Sequence, residues 1–229
     1  VITDPPYFDS IHYSELSNFF YVWLNALIDH PYFKADHVPT EQEAIVNAGM
    51  NKGEREYTDL LLSVFRESER VLRDNGKLIF TFHHAQWRAW WTVLTAVVES
   101  GFRVAAYFPV MSEYKVNPHI RNKQALDMDL VLVCQKRGVA FEALSLSPGA
   151  VLRRAMDDLP LETSHHSDNR LFLHFMGELL RTASSTQDRE GVDYNWFAEA
   201  LTHFDDFLAT VDPSEKGKAY QQGDKVHQL

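Results

Sequence analysis

The chain has 229 residues, 45% of them hydrophobic, and a formal net charge of −10. That length and apolar content can bury a sizeable core in one or two domains, and no apolar run approaches the ~20 residues of a membrane span. A single cysteine, Cys134, excludes an internal disulfide framework and a multi-cysteine zinc site, and it fits a reducing cytoplasm.

The start carries no basic region followed by a cleavage pattern, so no secretory signal is expected and the expected location is cytoplasmic. The acidity is uneven. Residues 1–137 hold 14 Lys/Arg against 17 Asp/Glu, whereas residues 138–229 hold 8 against 15. Residues 101–137 reverse the sign, with 6 basic and 3 acidic side chains. A phosphate backbone responds to local sign more than to the total. The overall balance still argues against strong DNA binding by this chain alone.

In chain order, Val1 and Ile2 read as the last residues of a buried strand. A chain that opens inside a strand is expected to be a piece of a longer polypeptide. Asp4, Pro5, Pro6 and Tyr7 follow as a stiff turn at the strand's carboxyl end. Two successive prolines fix φ and remove two backbone donors, so this corner offers carbonyls and a carboxylate but few N–H groups. Such a corner, with an aromatic face alongside, suits a flat ligand bearing an amino group, such as adenine or cytosine.

Tyr13 to Ile28 carries apolar residues at Leu16, Phe19, Phe20, Trp23, Leu24 and Leu27, the rhythm of an amphipathic helix with Asp9 or Ser10 as caps. Pro31 to Gly53 reads as a polar loop with a short helix at Glu41–Asn47. Glu54 to Arg73 reads as a helix stopped by Asp74, Asn75 and Gly76, residues that tolerate the left-handed conformation. Lys77 to Phe82 is a buried strand ending in His83 and His84. Trp87 to Glu99 is a helix closed by Ser100 and Gly101, with Trp87, Trp90 and Trp91 at core spacing. Phe102 to Val110 is a strand, Met111 to Ala125 a polar, partly basic loop, and Met128 to Gln135 a final strand that buries Cys134. From residue 138 the texture changes to helices at Leu146–Leu159, Asn169–Ala183 and Tyr194–Val211, with a frayed polar end. His165 and His166 sit in a polar linker and read as solvated.

The tetrapeptide Asp-Pro-Pro-Tyr after a short apolar strand resembles motif IV of the AdoMet-dependent amino-methyltransferases that act on DNA adenine or cytosine. The run from Val1 to Leu24, with DPPYFDSIHYSELSNFFYVWL within it, resembles the large adenine-specific DNA methylases. The likeness continues through Arg137. It implies an α/β fold in which residues 1–137 form the C-terminal half of a Rossmann-like methyltransferase sheet with its last strand antiparallel, and residues 138–229 form a helical extension. It also implies methylation of an exocyclic amino group, adenine foremost, on a base flipped out of DNA. Restriction-modification is the usual setting of such relatives.

By the same resemblance Asp4, Pro5, Pro6 and Tyr7 are the catalytic residues, with Asp4 and Pro5 also next to the cofactor. The Asp4 carboxylate and the Pro5 carbonyl each accept one amino hydrogen, and Tyr7 stacks on the flipped base, recovering ~1–3 kcal/mol of its unstacking. Phe8 and Tyr13 either wall the base pocket or pack the first helix. Asp9 reads as an N-cap. His83 and His84 end a strand where α/β sheets bind ligands. Adjacent histidines there point to opposite sides, which disfavours a metal site. Lys115, Asn117, His119, Arg121 and Lys123 either meet phosphates and bases or form a solvated loop.

The family holds AdoMet with a glycine-rich turn, and no two of the ten glycines here are separated by a single residue. The chain is therefore expected to need a missing N-terminal half or a partner chain for its cofactor. Two alternatives stay open: a non-catalytic or split subunit that docks onto such a partner, and an RNA or protein amide methyltransferase. The split subunit predicts an exposed hydrophobic sheet edge beside the first strand.

Overall fold

The computed structural model describes residues 1–111, 128–140, 147–158, 168–186 and 192–210. Four strands form one mixed sheet: β1 (Ile2–Thr3), β2 (Lys77–Phe82), β3 (Phe102–Met111) and β4 (Met128–Lys136). Their order across the sheet is β1-β2-β4-β3. β1 runs parallel to β2, and β4 lies between β2 and β3, antiparallel to both. The last strand thus runs in the direction that the resemblance implies.

Alternation along β2 and β4 explains the layering. Leu78, Phe80 and Phe82 of β2, with Leu130, Leu132 and Cys134 of β4, are buried, while Ile79, Thr81, Val131 and Val133 between them are only half-buried. Two helices cover the buried face, α2 (Glu54–Val71) and α3 (Trp87–Glu99). Phe65 of α2 meets Phe80 at 5.0 Å between ring centroids, and Trp90 of α3 meets Phe82 edge-on at 4.9 Å. Each such ring contributes about 1.5–3 kcal/mol by leaving water. Trp87, Trp90 and Trp91 are core residues, as their spacing predicts. Cys134 is fully buried, and burial pushes its thiol pKa up, so it stays protonated.

The C-terminal helices α4 (Pro148–Asp157), α5 (Asp168–Ser184) and α6 (Tyr194–Thr210) join the same core. α5 braces β3 at a bulge between Val104 and Ala106, where the Val104 amide donates to Ser184 Oγ at 2.9 Å. Gly177 of α5 lies against the Tyr107 ring. Trp87 and Trp91 of α3 pack on Tyr194 and Phe197 of α6. The extension is therefore a brace on the sheet, sharing one hydrophobic cluster with it.

Beyond the first strand, expected buried but exposed at Val1 and Ile2, three local expectations change. Helix α2 ends at Val71, and the turn at Asp74–Gly76 uses no left-handed residue. Gly76 is needed there for space: a Cβ would lie 2.8 Å from Leu72 Cδ2 and 2.9 Å from the Arg73 carbonyl. The short helix expected at Glu41–Asn47 is instead a 3-10 turn at Thr40–Gln42. The buried Lys52 ammonium donates to the carbonyls of Thr40, Glu41 and Glu43, which gathers this segment around it.

The third change concerns α1 (Tyr13–Leu27). Its periodicity predicts an apolar face against the core, yet only Tyr21 is buried. Its polar face is what attaches. Ser14 donates to Glu43, Asn18 accepts from the Val38 amide, and Tyr21 and Asn25 both donate to the Ala35 carbonyl. Phe19, Phe20, Trp23 and Leu27 face outward. Neither Asp9 nor Ser10 caps this helix; Glu43, from the following segment, takes both the amide and the hydroxyl of Ser14.

Candidate functional site

Strand pairing brings three separate stretches to one end of the sheet. Ile2 and Thr3 pair with Ile79 and Phe80, so Asp4 emerges beside Thr81. Phe82 pairs with Leu130, so His83 emerges beside Asp129. This is the carboxyl end of the parallel strands, the end at which open α/β sheets bind ligands.

Asp4 is exposed but held. Tyr7 Oη donates to Asp4 Oδ1 at 2.6 Å and lies 2.8 Å from Thr81 Oγ1, which donates to the same Oδ1. Two hydroxyl protons thus converge on one carboxylate oxygen, and Oδ2 is left as an outward acceptor. The Pro5 carbonyl carries no hydrogen bond among the described residues, whereas the Pro6 carbonyl accepts from Tyr57 Oη at 3.1 Å. Burial, and after it the hydrogen bond to Asp4, raises the Tyr7 pKa, so its hydroxyl remains a donor.

His83 sits 4.8 Å from the Tyr7 ring, edge-on, and its Nδ1 is hydrogen-bonded to Asp129 Oδ1. That bond fixes the orientation of the His83 ring. The cavity is bounded by Asp4, Pro5, Tyr7, Ser10, Ile11, Tyr13, His83 and Asp129. Its volume is about 270 Å³, close to the lower end of the ~300–1,000 Å³ usual for small-ligand pockets. Among the described residues, no lysine or arginine lines it. The wall offers two carboxylates, a carbonyl and aromatic faces, an arrangement that receives hydrogen-bond donors.

The sequence-predicted residues divide. Asp4, Pro5, Tyr7, Tyr13 and His83 come together on the cavity. Pro6 faces Tyr57 instead. Phe8 is a correction to the base-wall reading: it is buried beneath the site, edge-on to Tyr57 and His84. Its φ of +52°, costly for a bulky residue, is held by that packing and by the Val46 amide bonded to its carbonyl. Asp9 accepts from His84 rather than capping a helix: the Gln86 amide donates to Nδ1, so Nε2–H donates to Asp9 Oδ1 at 2.8 Å. The two histidines do point apart, His83 to the cavity and His84 into the interior. Lys115, Asn117, His119, Arg121, Lys123 and the pair His165 and His166 lie outside the described residues.

Sequence reading missed Thr81 and Asp129. Thr81 carried a signal, since alternation in Lys77–Phe82 turns it away from the buried face. Asp129 carried none by itself, because only the pairing register sets it beside His83. Among the described residues no group of His, Cys, Asp or Glu is placed to hold a metal ion, and no helix is long and apolar enough to cross a membrane. Searches of protein-family models, of curated proteins and of solved structures find no match to this chain.

Proposed function

We propose that this chain is the substrate-amine half of an AdoMet-dependent methyltransferase acting on an exocyclic amino group of DNA, adenine foremost. The observation that carries the reading is the pinned Asp4 carboxylate beside the Pro5 carbonyl, on a cavity whose described lining offers acceptors and aromatic faces. The strand order β1-β2-β4-β3 with an antiparallel β4 supports the resemblance described above.

The amino nitrogen of adenine is a poor nucleophile because its lone pair is delocalised into the ring. Asp4 Oδ2 and the Pro5 carbonyl each accept one of its hydrogens, which favours a pyramidal nitrogen with a localised pair. Tyr7 and Tyr13 give aromatic surface to a base that has left its stack. His83, its Nδ1 bound to Asp129, lines the cavity beside them. The acceptors are preorganised, since Tyr7 and Thr81 fix the carboxylate before substrate arrives.

AdoMet supplies an electrophilic methyl group, but these residues do not fit it. The chain contains no Gly-x-Gly turn to let backbone approach it closely. The cofactor is therefore held by a segment or partner beyond the open edge of β1, where Ile2 is 82% exposed. That edge also favours the second reading, a split subunit that gains activity only when paired.

The test is transfer of labelled methyl from AdoMet to DNA by this chain together with the segment or partner that contributes the cofactor site. Asp4→Ala is expected to abolish transfer, and RNA and protein are expected to remain unlabelled. Undiminished transfer by Asp4→Ala refutes the assignment.

A further inference from the structure

α1 is fastened by its polar face. Ser14, Asn18, Tyr21 and Asn25 recur along one side and bond to the segment between α1 and α2. On the other side Leu16, Phe19, Phe20, Trp23, Leu24 and Leu27 are all exposed, from 39% at Leu24 to 79% at Leu27. We propose that this face is the interface of a symmetric homodimer, in which α1 packs antiparallel against α1 of a second copy. The proposal does not depend on the methyl-transfer reading.

The area is sufficient. Aromatic side chains expose ~150–250 Å² each when free, so at the observed exposures the outward residues of α1 together offer on the order of 700 Å² of largely apolar surface. That exceeds the ~300–600 Å² of the largest patch on a typical monomer. It approaches the ~800 Å² that each partner buries in a standard stable interface.

The chemistry narrows the occupant. Within Tyr13–Leu27 the only charged residue is Glu15. A helix that lies on a membrane surface brings Lys and Arg on its polar face, and a DNA contact needs cations, so α1 suits neither. An uncharged apolar face matches an equally uncharged apolar face.

The spacing favours a copy of itself. Tyr13, Leu16, Phe20, Leu24 and Leu27 follow one another at intervals that read the same in both directions about Phe20. A two-fold axis through Phe20 sets Leu16 opposite Leu24 and Tyr13 opposite Leu27, with Phe20 against its own counterpart. A two-fold interface requires a self-complementary patch, whereas an unrelated partner imposes no such symmetry on the stripe. Tyr13 also borders the cavity, so the second copy seats beside the candidate site.

Sedimentation velocity of the whole chain at tens of micromolar tests the idea. The expected species is a dimer of twice 26.4 kDa, converted to monomer by Phe20→Glu with an unchanged circular dichroism spectrum. Phe20→Cys is expected to form a disulfide-linked dimer on mild oxidation, because the two introduced thiols meet on the axis while the native Cys134 is buried. A wild-type monomer, assembly beyond two copies, or a dimer that persists in Phe20→Glu overturns the proposal. Failure of Phe20→Cys to link, in a chain that dimerises, overturns the antiparallel pairing.

Discussion

Gly177→Ala is expected to destabilise the protein, although glycine-to-alanine inside a helix ordinarily does the opposite. The exchange normally gains about 0.8–1 kcal/mol through helix propensity. Here the added Cβ would stand 2.2, 2.4 and 2.7 Å from Cδ2, Cγ and Cε2 of Tyr107, where carbon atoms prefer ~3.5–4.0 Å. Two escapes exist, and both are costly. If α5 retreats, the Val104 amide loses its bond to Ser184 Oγ, a buried donor whose orphaning costs about 1–3 kcal/mol. If Tyr107 swings out, its half-buried ring returns to water at a cost of about 1–2 kcal/mol. With the helix gain subtracted from the cheaper escape, the net loss is up to about 1 kcal/mol, or up to roughly 4 °C in Tm for a domain of this size. Urea denaturation followed by tryptophan fluorescence measures it. In a Tyr107→Ala background the obstacle is gone, so Gly177→Ala should then stabilise by about 0.5–1 kcal/mol. The same sign in both backgrounds refutes the packing of α5 on β3 and, with it, the unity of sheet and extension.

Two further outcomes follow from the same contacts. Tyr7, Tyr57 and Tyr107 all have raised pKa values, with burial the largest cause in each. The stability these neutral hydroxyls carry is complete below the unfolded phenol's pKa of ~10 and is lost as pH climbs beyond it. At a pH near 11, tyrosinate absorbance should therefore show at least these three of the nine tyrosines un-ionised in the folded chain and all nine ionised in denaturant; nine in both states contradicts the burial. Tyr7→Phe and Thr81→Val should each cost only about 0.5–1 kcal/mol in denaturation, because Asp4 is exposed and water replaces the lost donor. In binding of an adenine derivative, followed by NMR, the double variant should lose more than the two singles combined, since either hydroxyl alone still orients the carboxylate; strict additivity contradicts that redundancy.

The fold was largely legible because its signals are local. A short apolar run at Lys77–Phe82 marked β2, and an apolar helical run closed by Ser100 and Gly101 marked α3 to the residue. Gly101, at φ +89°, does what a glycine after a helix is expected to do. The turn expected at Asp4–Tyr7 falls later, at Tyr7–Ser10, where the Ser10 amide donates to the Tyr7 carbonyl, and Asp4–Tyr7 itself is irregular backbone.

What was not legible depends on distant parts of the chain. Periodicity in Tyr13–Leu27 identifies a helix with one apolar side but cannot say whether that side meets its own core. Glu43 holding Ser14, Lys52 gathering three carbonyls, and Asp129 reaching His83 span separations of 29, 9–12 and 46 residues. No local pattern records such pairings. Phe8 looked like its neighbour Tyr7, yet one left-handed residue turned it inward.

The central claim is that the Asp4 corner grips an amine through its hydrogens. The most direct measurement compares 9-ethyladenine with its dimethylamino counterpart, which keeps the ring but has no N–H to give, by NMR titration of this chain. The amino compound should shift the resonances of Tyr7, Tyr13 and His83, and the dimethylamino compound should leave them in place. Equal shifts from both, or shifts confined to other residues, would contradict the account.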